Sequence, residues 1–184
     1  MWKTHPDSGL APGSLARDIH DVARLAGRFE LHSGAVSDTY FDKYRFESDP
    51  VLLRRIGEAM APLIPAETEI LGGLEMGGTP VVTILSQITG LPAAFLRKER
   101  KAYGTRKYAE GPELAGRRIT LVEDVVSSGK AILNTLSDLR ADDVDVLCAV
   151  CVIDRQSGGR EALAERNLEL RPLLTMDDLT TAAC

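Results

Sequence analysis

The stretch 121–131, LVEDVVSSGKA, is an apolar run ending in two adjacent carboxylates, Glu123 and Asp124, followed by a Ser-Ser-Gly turn placed to open a helix. Backbone N–H groups at a helix N-terminus bind a phosphate dianion with the helix dipole behind them, and a glycine there lets the backbone approach without a Cβ in the way. The candidate phosphate-loop residues are Val125, Val126, Ser127, Ser128, Gly129, Lys130 and Ala131. Two carboxylates at a strand's carboxyl end can accept hydrogen bonds from vicinal sugar hydroxyls, for which a loop binding phosphate alone has no use. A phosphate cradle beside a diol reader implies a phosphorylated sugar.

The better-known phosphate loops fit poorly. A P-loop needs G-x-x-x-x-G-K-[ST], yet Asp124 stands five residues before Gly129 and Ala131 follows Lys130. No G-x-G-x-x-G follows a strand. The plain structural alternative is a strand-turn-helix capped by Ser127 or Ser128. Adjacent acids ending a buried strand weigh against it.

Three further clusters carry charge or glycine. Residues 97–108 hold six basic residues and one acid in twelve positions, starting at the carboxyl end of an apolar strand. A loop of that length and charge suits a mobile lid over a diphosphate leaving group, excluding water and supplying donors where charge builds; a solvated charge run is the bland alternative. The stretch 72–78, GGLEMGG, lies between a strand and a helix, where its glycines can serve a tight turn against a diphosphate or simply punctuate the chain. Arg155 sits just past a long strand beside Asp154. Its guanidinium can hold a carboxylate in a two-pronged planar contact, or form a surface pair with Asp154.

The elements that must position these groups follow from periodicity. Residues 14–26 read as an amphipathic helix behind Ser14, and 29–32 and 39–43 as a short antiparallel pair. Asp49-Pro50 launches a helix to about residue 63. Strands at 69–74, 93–96, 118–123 and 144–153 alternate with helices at 79–89 and 128–141, and a helix at 160–166 and strand at 168–174 follow. This alternation predicts an α/β fold, a central, mainly parallel sheet flanked by helices, with residues 14–47 packed over it as a small N-terminal hood. Each motif falls at the strands' carboxyl ends, where such sheets bind ligands.

A length of 184 residues, 44% apolar and 27% charged, fits one domain, with 1–13 as a flexible tail and 97–112 as a mobile loop. Net charge −5 excludes a general nucleic-acid binder, and no stretch suggests a membrane span. Cys148 and Cys151 lie at odd spacing on one apolar strand, so they face opposite ways and read as buried apolar residues; Cys184 completes no disulfide framework. His5, His20 and His32 lack ligand spacing for zinc. The first twelve residues lack a secretion signal, which points to the cytoplasm.

The 121–131 run, together with FELHSGAVSDTYFD at 29–42, RKERKAYG at 97–104 and IDRQ at 153–156, resembles the type I phosphoribosyltransferases, and within them the orotate phosphoribosyltransferases. The resemblance implies transfer of ribose 5-phosphate from phosphoribosyl diphosphate to orotate, a Mg2+ held mainly through diphosphate and ribose oxygens, and a homodimer sharing its lid across the interface. It assigns Arg97, Lys98 and Lys101 to pyrophosphate, Arg97, Lys101 and Asp124 to catalysis, Tyr103 and Met76 to substrate binding, Glu123 to the ribose and Arg155 to the orotate carboxylate. Ser33, Gly34, Tyr40 and Phe41 would then cover the base. Tyr103 stands where many members have His, Met76 and His32 where some have Lys. A phosphoribosyltransferase for another base, or a regulator that binds phosphoribosyl diphosphate or a nucleotide without turnover, are the competing readings.

Overall fold

The computed structural model of the chain describes residues 12–30, 34, 36–97 and 108–183. Helix α1 (Pro12–Ala23) leads directly into an antiparallel pair, β1 (Arg24–Glu30) and β2 (Val36–Phe41). The expected helix end at residue 26 is corrected to Ala23. Its apolar period continues through Ala26, but Arg24, Leu25 and Ala26 pair with Phe41, Tyr40 and Thr39, and that cross-strand pairing wins over the local pattern.

A four-residue helix, α2 (Tyr44–Glu47), absent from the sequence reading, then precedes α3 (Pro50–Met60) and a 3-10 turn, Ala61–Leu63. Asp49 caps α3 as its sequence signature predicts, its carboxylate accepting from the N–H groups of Val51 and Leu52 at 2.9 and 3.0 Å. The rest alternates: β3 (Ile70–Leu74), α4 (Gly78–Thr89), β4 (Ala93–Leu96), β5 (Ala109–Glu110), β6 (Arg118–Val126), α5 (Lys130–Ala141), β7 (Asp145–Asp154), α6 (Gly159–Ala164), β8 (Leu170–Thr175) and α7 (Met176–Ala182).

One six-stranded sheet results, in the order β5-β4-β3-β6-β7-β8, parallel except for β5. The short antiparallel β5 shortens the expected 97–112 loop, because Ala109 and Glu110 return to pair with Leu96 and Phe95. Strand β6 outruns its expected end at residue 123 by three residues, since Val125 and Val126 pair with Ile153 and Asp154 of β7. The unforeseen α7 starts at a capping box: the Thr175 hydroxyl accepts from Asp178 N–H while the Asp178 carboxylate accepts from Thr175 N–H.

Each face of the sheet carries its own apolar core. Val122, Val150 and Val152 face Ile19, Phe46, Ile56 and Leu85 of the α1–α4 side. Leu121, Ala149 and Cys151 face Ile132, Leu136 and Leu163 of the α5–α6 side. The period of two therefore sends Cys148 and Cys151 into opposite layers, as their spacing predicts, and burial pushes both thiols up. No helix among the described residues is long and apolar enough to cross a membrane.

Replacing Asp49 with Ala removes a buried cap with two acceptor contacts and is expected to cost about 1–2 kcal/mol. Thermal unfolding checks this, and a melting temperature equal to the parent's would contradict the capping assignment.

Candidate active site at the carboxyl rim of the sheet

Because β3, β4, β6 and β7 run parallel, their carboxyl ends share one rim, and the glycine-rich turns, the acidic pair and Arg155 collect there. The loop after β6 encloses a cavity of about 140 Å³, lined by Glu123 and residues 125–132. The expected phosphate loop is thus a physical concavity with Glu123 in its wall.

Its construction corrects two details. Helix α5 starts at Lys130, not at residue 128, and neither Ser127 nor Ser128 caps it; Gly129 holds the cap position in a left-handed conformation at φ 70°. The close approach there is not to a ligand alone. A Cβ on Gly129 would meet the Gly159 carbonyl at 3.2 Å and Leu163 at 3.3 Å, and one on Gly159 would collide with the Ser127 carbonyl. The loop is shaped from beneath by the start of α6.

The acidic pair differs from its expected form. As consecutive residues of a strand that continues to Val126, Glu123 and Asp124 leave β6 on opposite faces. Glu123 borders the cradle and folds back so that its Oε1 accepts the Asp124 N–H at 3.1 Å. Asp124 has no exposed surface, and its Oδ2 lies 2.6 Å from Lys43 Nζ. Its carboxylate presses against Gly77 of the glycine-rich turn, where any Cβ would overlap it. Burial opposes ionisation of Asp124, but the neighbouring Glu123 and Glu47 carboxyls and the Lys43 ammonium outweigh it and hold its pKa below the usual carboxylate value. Burial, then the neighbouring Asp124, pushes Glu123 well above its ordinary value. The two acids therefore do not act as a matched pair of charges. Lys43 and Glu47 carry no motif of their own; only their four-residue spacing beside the SGAVSDTYFD run marks them in the sequence.

A second cavity, about 290 Å³, lies where β3 and β4 end against α5, bordered by Glu75, Arg97 and Lys130 among others. It gathers two cations at the mouth of the 98–107 segment. The Arg97 N–H donates to the Tyr108 carbonyl at 2.7 Å, closing the base of that segment, and the Arg97 guanidinium pairs with Glu110 at 3.3 Å. Lys98, Lys101 and Tyr103 lie outside the described residues, as do Ser33 and His32. The Met76 side chain is 63% exposed in the turn between β3 and α4.

Arg155 follows β7, its N–H donating to the Val126 carbonyl at 2.8 Å, which ties it to the cradle. The surface pair with Asp154 does not form. Asp154 is buried and taken by Arg160 at 3.3 Å and by the Gln156 N–H at 2.8 Å, leaving the exposed Arg155 without an ion pair among the described residues. Tyr40 and Phe41 border a cavity of about 460 Å³ between β2, α1 and α7. The Tyr40 ring is 5.5 Å from that of Phe29, and the Phe41 ring is 6.4 Å from that of buried Phe46. Gly34 is exposed at φ 82°, the left-handed conformation a tight turn requires.

The comparisons with known proteins agree with this geometry. Residues 49–166 match the model of the phosphoribosyl transferase domain. The orotate phosphoribosyltransferase of a Nocardioides species is 50% identical over 92% of this chain and 94% of its own length. That of Halobacterium salinarum is 38% identical over 92% and 99%. Among solved structures, Mycobacterium tuberculosis orotate phosphoribosyltransferase in complex with Fe(III) dicitrate superposes with a TM-score of 0.83 at 30% identity, covering 91% of this chain and 98% of the other. The same enzyme in complex with 5-phospho-alpha-D-ribosyl 1-diphosphate gives 0.78 at 27% identity, covering 92% and 98%. With a glycine-shaped concavity after an acid-bearing β6, a matching domain model and relatives matched over nearly their whole length, the chain belongs to the phosphoribosyltransferase family, among the orotate phosphoribosyltransferases.

Proposed function

We propose that the protein transfers ribose 5-phosphate from 5-phosphoribosyl 1-diphosphate to N1 of orotate, releasing pyrophosphate and forming orotidine 5′-monophosphate for pyrimidine nucleotide synthesis in the cytoplasm. The observation that carries this reading is the rim cavity of residues 125–132 with Glu123 in its wall. The choice of base rests on the relatives, which are orotate enzymes.

In this mechanism backbone N–H groups of the 127–131 turn and the Lys130 ammonium hold the 5′-phosphate, while Glu123 engages the ribose hydroxyls. The diphosphate points toward the glycine-rich turn and Arg97, with Lys98, Lys101 and Tyr103 closing over it. With Met76 in that turn, the turn offers backbone N–H groups and no ammonium, so the cationic contacts come from the lid side. Breaking the C1–O bond builds positive charge on the sugar and negative charge on the leaving group, so the protein's task is electrostatic and positional. Asp124, kept ionised, is a poor proton acceptor and suits stabilisation of the oxocarbenium-like sugar. Arg155 holds the orotate carboxylate, and the turn at Ser33 and Gly34, with Tyr40 and Phe41 behind it, covers the base.

Magnesium supplies charge neutralisation on the leaving group when bound. Among the described residues no three His, Cys, Asp or Glu side chains gather to hold a metal, and the oxygens of the diphosphate and ribose are the hard donors such an ion takes. A homodimer whose lid serves the neighbouring site completes the reading.

Spectrophotometric loss of orotate in the presence of phosphoribosyl diphosphate and magnesium tests the activity. Turnover that requires all three is expected, and release of pyrophosphate with a different base but not with orotate would overturn the base assignment. Arg155→Ala is expected to raise the orotate KM about 10- to 100-fold with the phosphoribosyl diphosphate KM nearly unchanged, as loss of a bidentate charged contact implies. Equal damage to both substrates would contradict the assignment. Lys101→Ala is expected to lower kcat far more than it weakens orotate binding; a purely KM effect would remove its role at the leaving group.

A further inference from the structure

Helix α2 places two titratable side chains one helical turn apart beside the same buried carboxylate, Asp124. Lys43, at its N-cap, puts Nζ 2.6 Å from Asp124 Oδ2. Glu47, its last residue, is 5% exposed, and neither of its carboxyl oxygens has a hydrogen-bond partner among the described residues. An ionised carboxyl can only accept, so a buried Glu47 without a donor is satisfied only when it carries its own proton and gives it to an acceptor. Apart from the Lys43 ion pair, Asp124 Oδ2 is likewise buried with no hydrogen-bond partner among the described residues, and Asp124 is the neighbour that acts most on Glu47.

We propose that Lys43 and Glu47 are positioning residues for the transfer reaction, Lys43 fixing the Asp124 carboxylate as its ion-pair partner and Glu47 as the donor of a carboxyl hydrogen bond. Both lie outside the 49–166 segment that matches the domain model, and neither belongs to the phosphate loop, the glycine-rich turn or the lid. The inference rests on the proposed activity for its catalytic consequence only; the hydrogen bond itself does not depend on which base is used.

Electrostatics agrees with the geometry. Burial, then Asp124, pushes Glu47 up to about 9, with Lys43 opposing and Asp42 adding to the rise. Lys43 is itself raised: burial opposes its charge, but Asp124 and then Glu123 more than compensate. Glu123, on β6 beside them, is held toward its protonated form. From α1 and α3, packed against α2, Asp18 and Arg55 are paired with each other at 2.7 Å. At neutral pH Asp124 is thus the carboxylate paired with the Lys43 ammonium, and Glu47 beside it is neutral. Ionising Glu47 would set a second negative charge against Asp124 and compete for Lys43.

Glu47→Gln keeps a donor of nearly the same shape that cannot ionise, and Glu47→Ala removes it. Measured on the full chain from pH 6 to 10, Glu47→Gln is expected to keep kcat within about threefold of the parent at pH 7 and to lose the alkaline decline near pH 9, whereas Glu47→Ala lowers kcat about tenfold with both KM values little changed. A Glu47→Ala enzyme with the parent's kcat and pH profile, or a Glu47→Gln enzyme that retains the decline, would overturn the proposal. Two readouts are independent of the reaction, so their failure is separable from failure of the base assignment. Carbon-13 NMR of labelled glutamate carboxyls should show a resonance titrating near pH 9 that vanishes in Glu47→Gln; a spectrum in which Glu47→Gln removes only a glutamate titrating in the ordinary range would sink the idea. Native Glu47 keeps its proton to about pH 9 whereas an unfolded glutamate loses it near 4.5, so across that window the parent should lose stability relative to Glu47→Gln as pH rises. If Glu47→Ala does not fold, the Glu47→Gln profile and the NMR titration decide.

Discussion

A carboxylate with no exposure to water has to be matched from within the protein, and Asp124 imposes that constraint on everything near the rim. Strand β6 brings it to the carboxyl end of the sheet, and the hood supplies the Lys43 ammonium, with buried Glu47 at the other end of the same short helix. The glycine-rich turn gives way at Gly77, because any side chain there would occupy the space of the carboxylate. Three separate segments of the chain are therefore tied to a single side chain. Around it, the Asp18–Arg55 pair joins α1 to α3 and α1 packs on α7, so the hood is anchored at its other end as well.

The second organising feature is the absence of side chains where two turns cross. Gly129 takes the left-handed conformation that opens α5, and Gly159 admits the Ser127 carbonyl that would otherwise be displaced. The concavity that results is lined by Glu123, by Lys130 and by the turn between them. Arg97 and Lys130 border a separate cavity where β3 and β4 end against α5, and Lys130 lines both cavities.

Much of this was legible in the sequence for physical reasons. Buried parallel strands read as apolar runs, so 93–96 was placed to the residue; Asp49-Pro50 marked the start of α3 through capping chemistry; and the odd spacing of Cys148 and Cys151 predicted their separation into two core layers. The 125–131 turn stood out because its glycine follows an apolar strand that ends in two acids. What escaped was set by distant partners. Strand β6 continues through Val125 and Val126 because β7 pairs with them, β5 exists only because β4 offers an edge, and β1 starts at Arg24 because β2 claims residues a helix would have taken. The roles of Lys43 and Glu47 were hidden in the same way, since nothing local says that an exposed-looking Lys and Glu will close over a carboxylate eighty residues on. Helix α7 is different: the Thr175 to Asp178 capping box was readable and would have placed it.

The central claim is that the rim of the sheet grips an activated pentose through the loop after β6. A crystal structure of the full chain soaked with 5-phosphoribosyl 1-diphosphate and magnesium tests it most directly. The account predicts the 5′-phosphate seated against the backbone of residues 127–131 with the ribose hydroxyls beside Glu123. Density for the sugar phosphate elsewhere on the molecule, with that loop empty, would contradict it.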